Sequence, residues 1–192
     1  MLKQFTKGFA MLLVMTVLTG IAYPLVVTGL AQLFFPHQAN GSLVYQNGKM
    51  VGSQLIGQNF TDLKYFQSRP SAAGKNGYDA TASGGSNLGP TNKEFLNSVA
   101  ERVNRIRQQN GLSSNQTVPS DLVTASASGL DPDITPEGAM IQVPRIAKLR
   151  NLPLETVENL VREDTTPRQL GIFGEPCVNV LRLNLDLDTL EK

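Results

Sequence analysis

Few side chains in this sequence are equipped for chemistry, and their spacing narrows the list further. There is one histidine, His37, and one cysteine, Cys177, so Cys-rich zinc sites and an intrachain disulfide framework are excluded, as are most His/Cys metal clusters within a single chain. Ser83-Gly84-Gly85-Ser86, followed by Asn87, is Gly-rich. No Gly-Lys-Ser/Thr follows it, so it is no Walker phosphate loop; it reads as a tight loop or a backbone nest for an anion or carbonyl. Ser126 and Ser128 precede Gly129 without forming G-x-S-x-G, and Ser71 and Lys75 are one position too far apart for S-x-x-K. Asp131-Pro132-Asp133 offers paired carboxylates but lacks the further oxygen ligands of a calcium loop, which favours a turn. Gln142 and Arg145, three apart, share one helical face, and a polar surface accounts for them. Cys177 reads as a small core residue. These residues suggest binding or assembly rather than catalysis, and the expectation is no catalytic residue and no metal.

The elements that would carry these residues form an α+β body. Asn47-Gly48 between Leu43–Gln46 and Met50–Gly52 is a hairpin signal, and Ser53–Phe60 would extend that sheet. Ser68–Asn92 is almost without apolar side chains and reads as a flexible linker, with a functional loop as the serious competitor at this length. Asn92 caps a helix with Phe95, Leu96, Val99, Val103 and Ile106 on one stripe ending near Gly111; Arg102, Arg105 and Arg107 decorate the solvated remainder. Thr135-Pro136-Glu137 starts a helix over 136–150, with Pro144 forcing a kink or an early stop, and Leu152-Pro153 opens another with Val157, Leu160 and Val161 inward. Cys177–Leu183 alternates as a strand, and Leu185–Leu190 is a short amphipathic tail.

From Phe9 to Phe35 no residue is charged. As a helix that stretch reaches roughly 40 Å at ~1.5 Å per residue, enough to cross a bilayer. A signal peptide with a weak cleavage site at Gly20-Ile21-Ala22 is the alternative, but the apolar run continues well past Ala22. Pro24 removes one ladder bond, so a kink is expected near Gly20–Pro24, and Thr16 with Gly20 suits helix–helix packing. Lys3 and Lys7 precede the run and the first cation after it is Lys49. The positive-inside bias therefore predicts a cytoplasmic tail at residues 1–8, a transmembrane helix at 9–35 and an extracytoplasmic domain at 36–192. With 17 basic and 16 acidic residues in the chain, no electrostatic footprint for nucleic acid exists.

In order along the chain stand Tyr23-Pro24-Leu25, Asn40-Gly41-Ser42, GSQLIGQ over 52–58, Tyr65-Phe66 with RPSA over 69–72, SGGSNLGP over 83–90, VTASASGLDPD over 123–133, Gln142-x-x-Arg145, and Gly174-Glu175-Pro176 leading into VNVL over 178–181. Together they resemble the C subunit of the Kdp potassium-transporting ATPase, the KdpC family, over nearly the whole chain. The resemblance implies an accessory subunit of a complex at the bacterial inner membrane. Its partners would be a channel-like potassium-binding subunit, a P-type ATPase subunit and a small single-span subunit. ATP and K+ belong to the complex, with no cofactor in this chain. The family is described as a catalytic chaperone raising the ATPase subunit's affinity for ATP, which would place that role on Gln142 and Arg145. With the body outside and ATP inside, such an effect has to be coupling through the complex. The resemblance also makes Ser83, Gly84, Gly85, Ser86, Asn87, Asp131 and Asp133 candidates to dock on the channel-like subunit's mouth. The competing reading is a membrane-anchored exported hydrolase, which a serine-reactive probe would label.

Overall fold

The computed structural model describes residues 2–190, and the chain divides into two units, one ending at Val51 and the other beginning at Gly52. The first unit begins with helix α1 (Leu2–Val17), a π-helical turn over Leu18–Ala22, and α2 (Tyr23–Phe34). These run as one helix from Leu2 to Phe34, with a mean hydropathy of 2.2 and no buried residue, long and apolar enough to cross a membrane. The irregularity expected before Pro24 takes the form of the π-turn: the Tyr23 N–H reaches back to the Leu18 carbonyl, and Pro24 falls in the first turn of α2 where no N–H is needed. A short α3 (Pro36–Ala39) holding His37 follows. Strands β1 (Leu43–Gln46) and β2 (Lys49–Ser53) then pair as a hairpin. Asn47 and Gly48 both take positive φ, 51° and 76°, the mirror-image turn whose twist matches that of the strands.

The expected continuation of this sheet over 53–60 does not form. From Gln54 to Thr91 the chain holds neither helix nor strand, yet it is internally hydrogen-bonded. Helix α4 (Lys93–Asn110) starts where Asn92 Oδ1 accepts from the Glu94 and Phe95 amides at 2.8 and 3.1 Å, and stops at Gly111, φ 65°. Of its expected inward stripe Leu96 is instead 50% exposed. After a 3-10 turn (Ser120–Leu122) come β3 (Asp133–Ile134), α5 (Pro136–Met140) and α6 (Val143–Arg150). Pro144 lies in the first turn of α6, so the expected interruption is a full break between two helices. Helix α7 (Leu154–Glu163), β4 (Thr165–Thr166), β5 (Cys177–Asn179) and α8 (Val180–Thr189) complete the chain.

One alternation misled. VNVLRL reads as a strand, but only Cys177–Asn179 is extended. Asn179 Oδ1 accepts from the Arg182 amide at 3.2 Å and starts a helix, which also absorbs the expected tail. Strand β5 is central in an antiparallel sheet ordered β3-β5-β4, with Ile134 and Thr165 both opposite Val178. The core gathers Phe66, Ile134, Ile146, Val157, Val161, Val178, Leu183 and Leu187, all at most 2% exposed, where α5 to α8 pack over this sheet.

Candidate functional site

Gln142 and Arg145 are not surface residues. They are 1% and 7% exposed, which corrects the surface reading of the pair. Gln142 occupies the link between α5 and α6, and Arg145 follows in the first turn of α6. The Gln142 carboxamide is fully engaged. Its Oε1 accepts from the Gln67 amide and from Arg145 Nη2, each at 2.8 Å, while Nε2 donates to the carbonyls of Gly138 at 3.0 Å and Gln67 at 3.3 Å. Arg145 continues the grip, with Nε on Asn110 Oδ1 at 2.9 Å and Nη1 on the carbonyls of Leu63 and, at 3.2 Å, Tyr65. Burial lowers the Arg145 pKa to about 10, which leaves the guanidinium charged at neutral pH.

Sequence reasoning missed the other half of this arrangement. Asn184, 2% exposed on α8, accepts from the Phe66 amide at 2.8 Å and donates to the Phe66 carbonyl at 3.0 Å. Successive N–H and C=O pairs of an extended chain face opposite sides. The Tyr65 N–H closes a turn on the Asp62 carbonyl at 3.1 Å, and in the stretch that follows Phe66 is paired by one buried amide and Gln67 by another, so that side chains stand where neighbouring strands would. Arg150 secures the segment 63–67 further, with Nε on the Lys64 carbonyl at 2.9 Å, Nη2 on Asp188 at 2.8 Å and the guanidinium 4.6 Å over the Tyr65 ring. Tyr65 Oη donates to Asp188 at 3.1 Å.

The start of the first candidate docking loop packs on residues 126–129, just before the second. The Gly84 amide and the Ser83 hydroxyl both donate to the Ser128 carbonyl, at 2.8 and 2.9 Å. Gly129, φ 66°, sits where a Cβ would lie 2.6 Å from the Gly84 carbonyl and 2.7 Å from the Ala73 amide. Asp131 accepts from the Asp133 amide at 3.1 Å, the turn its sequence suggested, and pairs with Arg69 at 2.7 Å. Asp133 opens β3 and accepts from Asn179 at 3.1 Å; burial pushes its carboxyl pKa up. Ser86 and Asn87 are exposed, Asn87 with φ 53°. The Ser71 hydroxyl, considered for nucleophilic chemistry, is occupied: it donates to the Gly129 carbonyl at 2.5 Å and accepts from the Ala73 and Tyr78 amides at 3.1 and 2.7 Å. Cys177 is half-buried in β5 rather than in the core, and burial raises its thiol pKa. Among the described residues no group of three His, Cys, Asp or Glu could hold a metal ion. In the apolar helix, Thr16 and Gly20 lie together, a Cβ at Gly20 falling 4.0 Å from the Thr16 methyl.

One exposed feature had no sequence signal beyond Gly171 and Gly174. Between β4 and β5 the chain forms a finger: Gln169 and Phe173 exchange both backbone hydrogen bonds at 2.9 Å around a turn in which Leu170 and Gly171 have φ 54° and 74°. Arg168 and Glu175 pair at its base at 2.5 Å. Its tip presents Leu170, Ile172 and Phe173, which are 88%, 73% and 62% exposed.

A family model described as "K+-transporting ATPase, c chain" matches residues 5–189. A protein of Gemmatimonas aurantiaca named "Potassium-transporting ATPase KdpC subunit" is 55% identical over 190 residues, covering 99% of this chain and 94% of that one. The protein of the same name from Mycobacterium tuberculosis strain H37Rv is also 55% identical over 190 residues, covering 99% of this chain and all of its own. That of Acidobacterium capsulatum is 57% identical over 178 residues, or 93% of this chain and 94% of its own. With a match from near the first residue to near the last, in both the family pattern and these relatives, the chain belongs to the KdpC family of potassium-transporting ATPase subunits.

Proposed function

We propose that this chain is a non-catalytic accessory subunit of an ATP-driven potassium importer. It is anchored in the inner membrane by the helix Leu2–Phe34, with the body from residue 36 onward outside the cytoplasm, and is required for assembly and activity of the complex. Channel-like, P-type ATPase and small single-span subunits are its partners. The observation that carries the reading is the finger. Three large apolar side chains held out on a tight turn, one of them in left-handed backbone that costs leucine about 1–2 kcal/mol, suit contact with another protein surface better than contact with water. The loops at 83–87 and 131–133 supply a second contact, against the mouth of the channel-like subunit.

The engaged state of Gln142 supports an indirect role in ATP affinity. Its carboxamide has its hydrogen-bonding positions filled by Gln67, Gly138 and Arg145, so its influence on the pump runs through the placement of segment 63–67. The test is co-purification of the complex from solubilised membranes. Ile172→Asp with Phe173→Asp is expected to lose the partner subunits while the body stays folded. Gly84→Val, at a glycine with nothing within 4 Å of a Cβ, is expected to weaken assembly without disturbing the loop itself. Unchanged recovery and unchanged potassium uptake in both would refute the reading. Protease added to right-side-out spheroplasts checks the topology: the body is expected to be digested.

A further inference from the structure

Beside segment 63–67, and continuous with it through Gln67, the body contains a cavity of about 450 Å³ to which no role is attached by the reading above. Its volume lies in the range of small-ligand sites. Its charged lining is of one sign. Arg69, Arg102 and Arg105 contribute guanidinium groups, Asn59, Asn76 and Gln109 contribute amides, and no carboxylate lines the cavity. Arg69 is already paired with Asp131 at 2.7 Å, yet its Nε is buried without a hydrogen-bond partner. Arg102 donates only to the Val123 carbonyl, at 3.1 Å, and neither Arg102 nor Arg105 forms an ion pair among the described residues. Burial and the neighbouring Arg105 charge lower the Arg102 pKa, and Glu101, which acts on Arg102 through space, lies outside the lining. The expectation that Arg102, Arg105 and Arg107 merely decorate a solvated face thus fails for Arg102 and Arg107, which are half-buried, and holds for Arg105, which is exposed.

Two guanidinium charges at one cavity without counter-ions, next to a third with an unfilled donor, set the chemistry of the missing partner. Guanidinium forks hold oxyanions in bidentate geometry, and two uncompensated positive charges are balanced by two negative ones. We propose that this cavity binds a doubly charged oxyanion of the phosphate or phosphomonoester class. A phosphomonoester has a second pKa of about 6 and inorganic phosphate one of about 7, so both carry that charge at pH 8. A phosphodiester, the chemistry of most lipid headgroups, carries only one.

Calorimetric titration of the full chain in detergent, at fixed ionic strength and pH 8, tests this with inorganic phosphate, glycerol 3-phosphate and glycerophosphoglycerol. The first two are expected to bind saturably and alike, and the diester about tenfold more weakly. Arg105→Gln, at an exposed residue with no internal hydrogen bond among the described residues, is expected to weaken phosphate about tenfold without changing the melting temperature of the free chain. Arg102→Lys, which keeps the charge but loses the fork, is the second variant and is expected to weaken it as well. An absence of saturable phosphate binding, phosphate affinity unchanged in Arg105→Gln, or equal affinity for the diester would each overturn the proposal. None of these outcomes depends on complex assembly, so failure here is separable from failure of the accessory-subunit reading.

Discussion

Truncating Gln142 to alanine removes one side chain but orphans several groups at once. The Gln67 N–H, the Gln67 carbonyl and Arg145 Nη2 all lose a partner in a region where Gln142 itself is 1% exposed. A buried polar group left unpaired costs about 1–3 kcal/mol, so three of them amount to about 3–9 kcal/mol, before any term for the space vacated. Against a total stability of about 5–15 kcal/mol that is a large fraction, and at about 2–4 °C per kcal/mol it lowers the melting temperature by at least about 6 °C. Gln142→Glu retains acceptors for Gln67 N–H and Arg145 but sets a carboxylate oxygen against the Gly138 and Gln67 carbonyls, where Nε2 now donates. It is expected to be destabilised too, and less so at low pH where the carboxyl is protonated and can donate. Asn184→Ala strips Phe66 in the same way from the other side. Since both amides hold one segment, releasing it once makes the second release cheaper, and the double variant should fall short of additivity by about 1–2 kcal/mol. Urea unfolding of the full chain in detergent, followed by tyrosine near-UV circular dichroism, reads all of these. If the reasoning about ATP affinity holds, Asn184→Ala, which lies outside the Q-x-x-R pair, should reproduce the effect of Gln142→Ala on the complex's nucleotide dependence. A Gln142→Ala chain within about 1 kcal/mol of the parent, or strict additivity with Asn184→Ala, would refute the account.

Two further outcomes follow from single residues. Asp164 is buried with Oδ2 unpartnered, and burial, reinforced by Asp186, raises its pKa from 3.8 to about 6 despite Arg182 at 3.3 Å. The folded chain therefore holds a proton that the unfolded chain has released, and stability contributed by that protonation is lost as pH rises from about 4 through 6. Asp164→Asn is expected to be about 1–3 kcal/mol more stable than the parent at pH 8 and level with it at pH 4; a gap independent of pH in urea titrations would contradict this. Gly129→Ala and Gly111→Ala start from nearly the same φ, 66° and 65°, but only at Gly129 does the added Cβ meet backbone atoms. Gly111→Ala should cost about 1 kcal/mol and Gly129→Ala at least about 2 kcal/mol more, with faster amide exchange at Gly84; equal costs would show that the contact between loops 83–85 and 126–129 is not formed.

Elements whose ends are set by local chemistry were legible. Asn92 and Thr135-Pro136 announced helices, and Asn47-Gly48 announced a hairpin, because caps and mirror-image turns are decided by a few adjacent residues. The break at Pro144 was equally readable. What could not be read was decided by distant neighbours. The strands of the central sheet are two or three residues long, too short for any periodicity. The leucine alternation of Val180–Thr189 mimics a strand because the inward face of α8 is completed by Asn184, a polar residue that only makes sense once Phe66 lies against it. The same holds for Gln142 and Arg145: polar residues near a helix start read as surface until an unpaired backbone is placed next to them. The resemblance to the family marked both residues, but their burial and the second amide, Asn184 on the Phe66 backbone, were outside its reach.

Hydrogen-bond accounting explains why amides are used here at all. Residues 54–91 hold no helix or strand, yet Phe66 is fully buried, so its peptide groups require partners that no neighbouring strand provides. Asn and Gln are the side chains that reproduce a peptide's donor and acceptor side by side; the link before α6 delivers Gln142 and α8 delivers Asn184. The consequence reaches beyond stability. Gln67, held by Gln142, also lines the arginine cavity together with Ser68 and Arg69, and Arg69 is tied through Asp131 to the turn that opens β3. An anion in that cavity or a partner on the loops would thus act on the same short stretch of backbone that Gln142 and Arg145 fix. On the proposed indirect role in ATP affinity, this stretch is where coupling would run, since a shift of 63–69 at one end would have to be accommodated by repacking at the other.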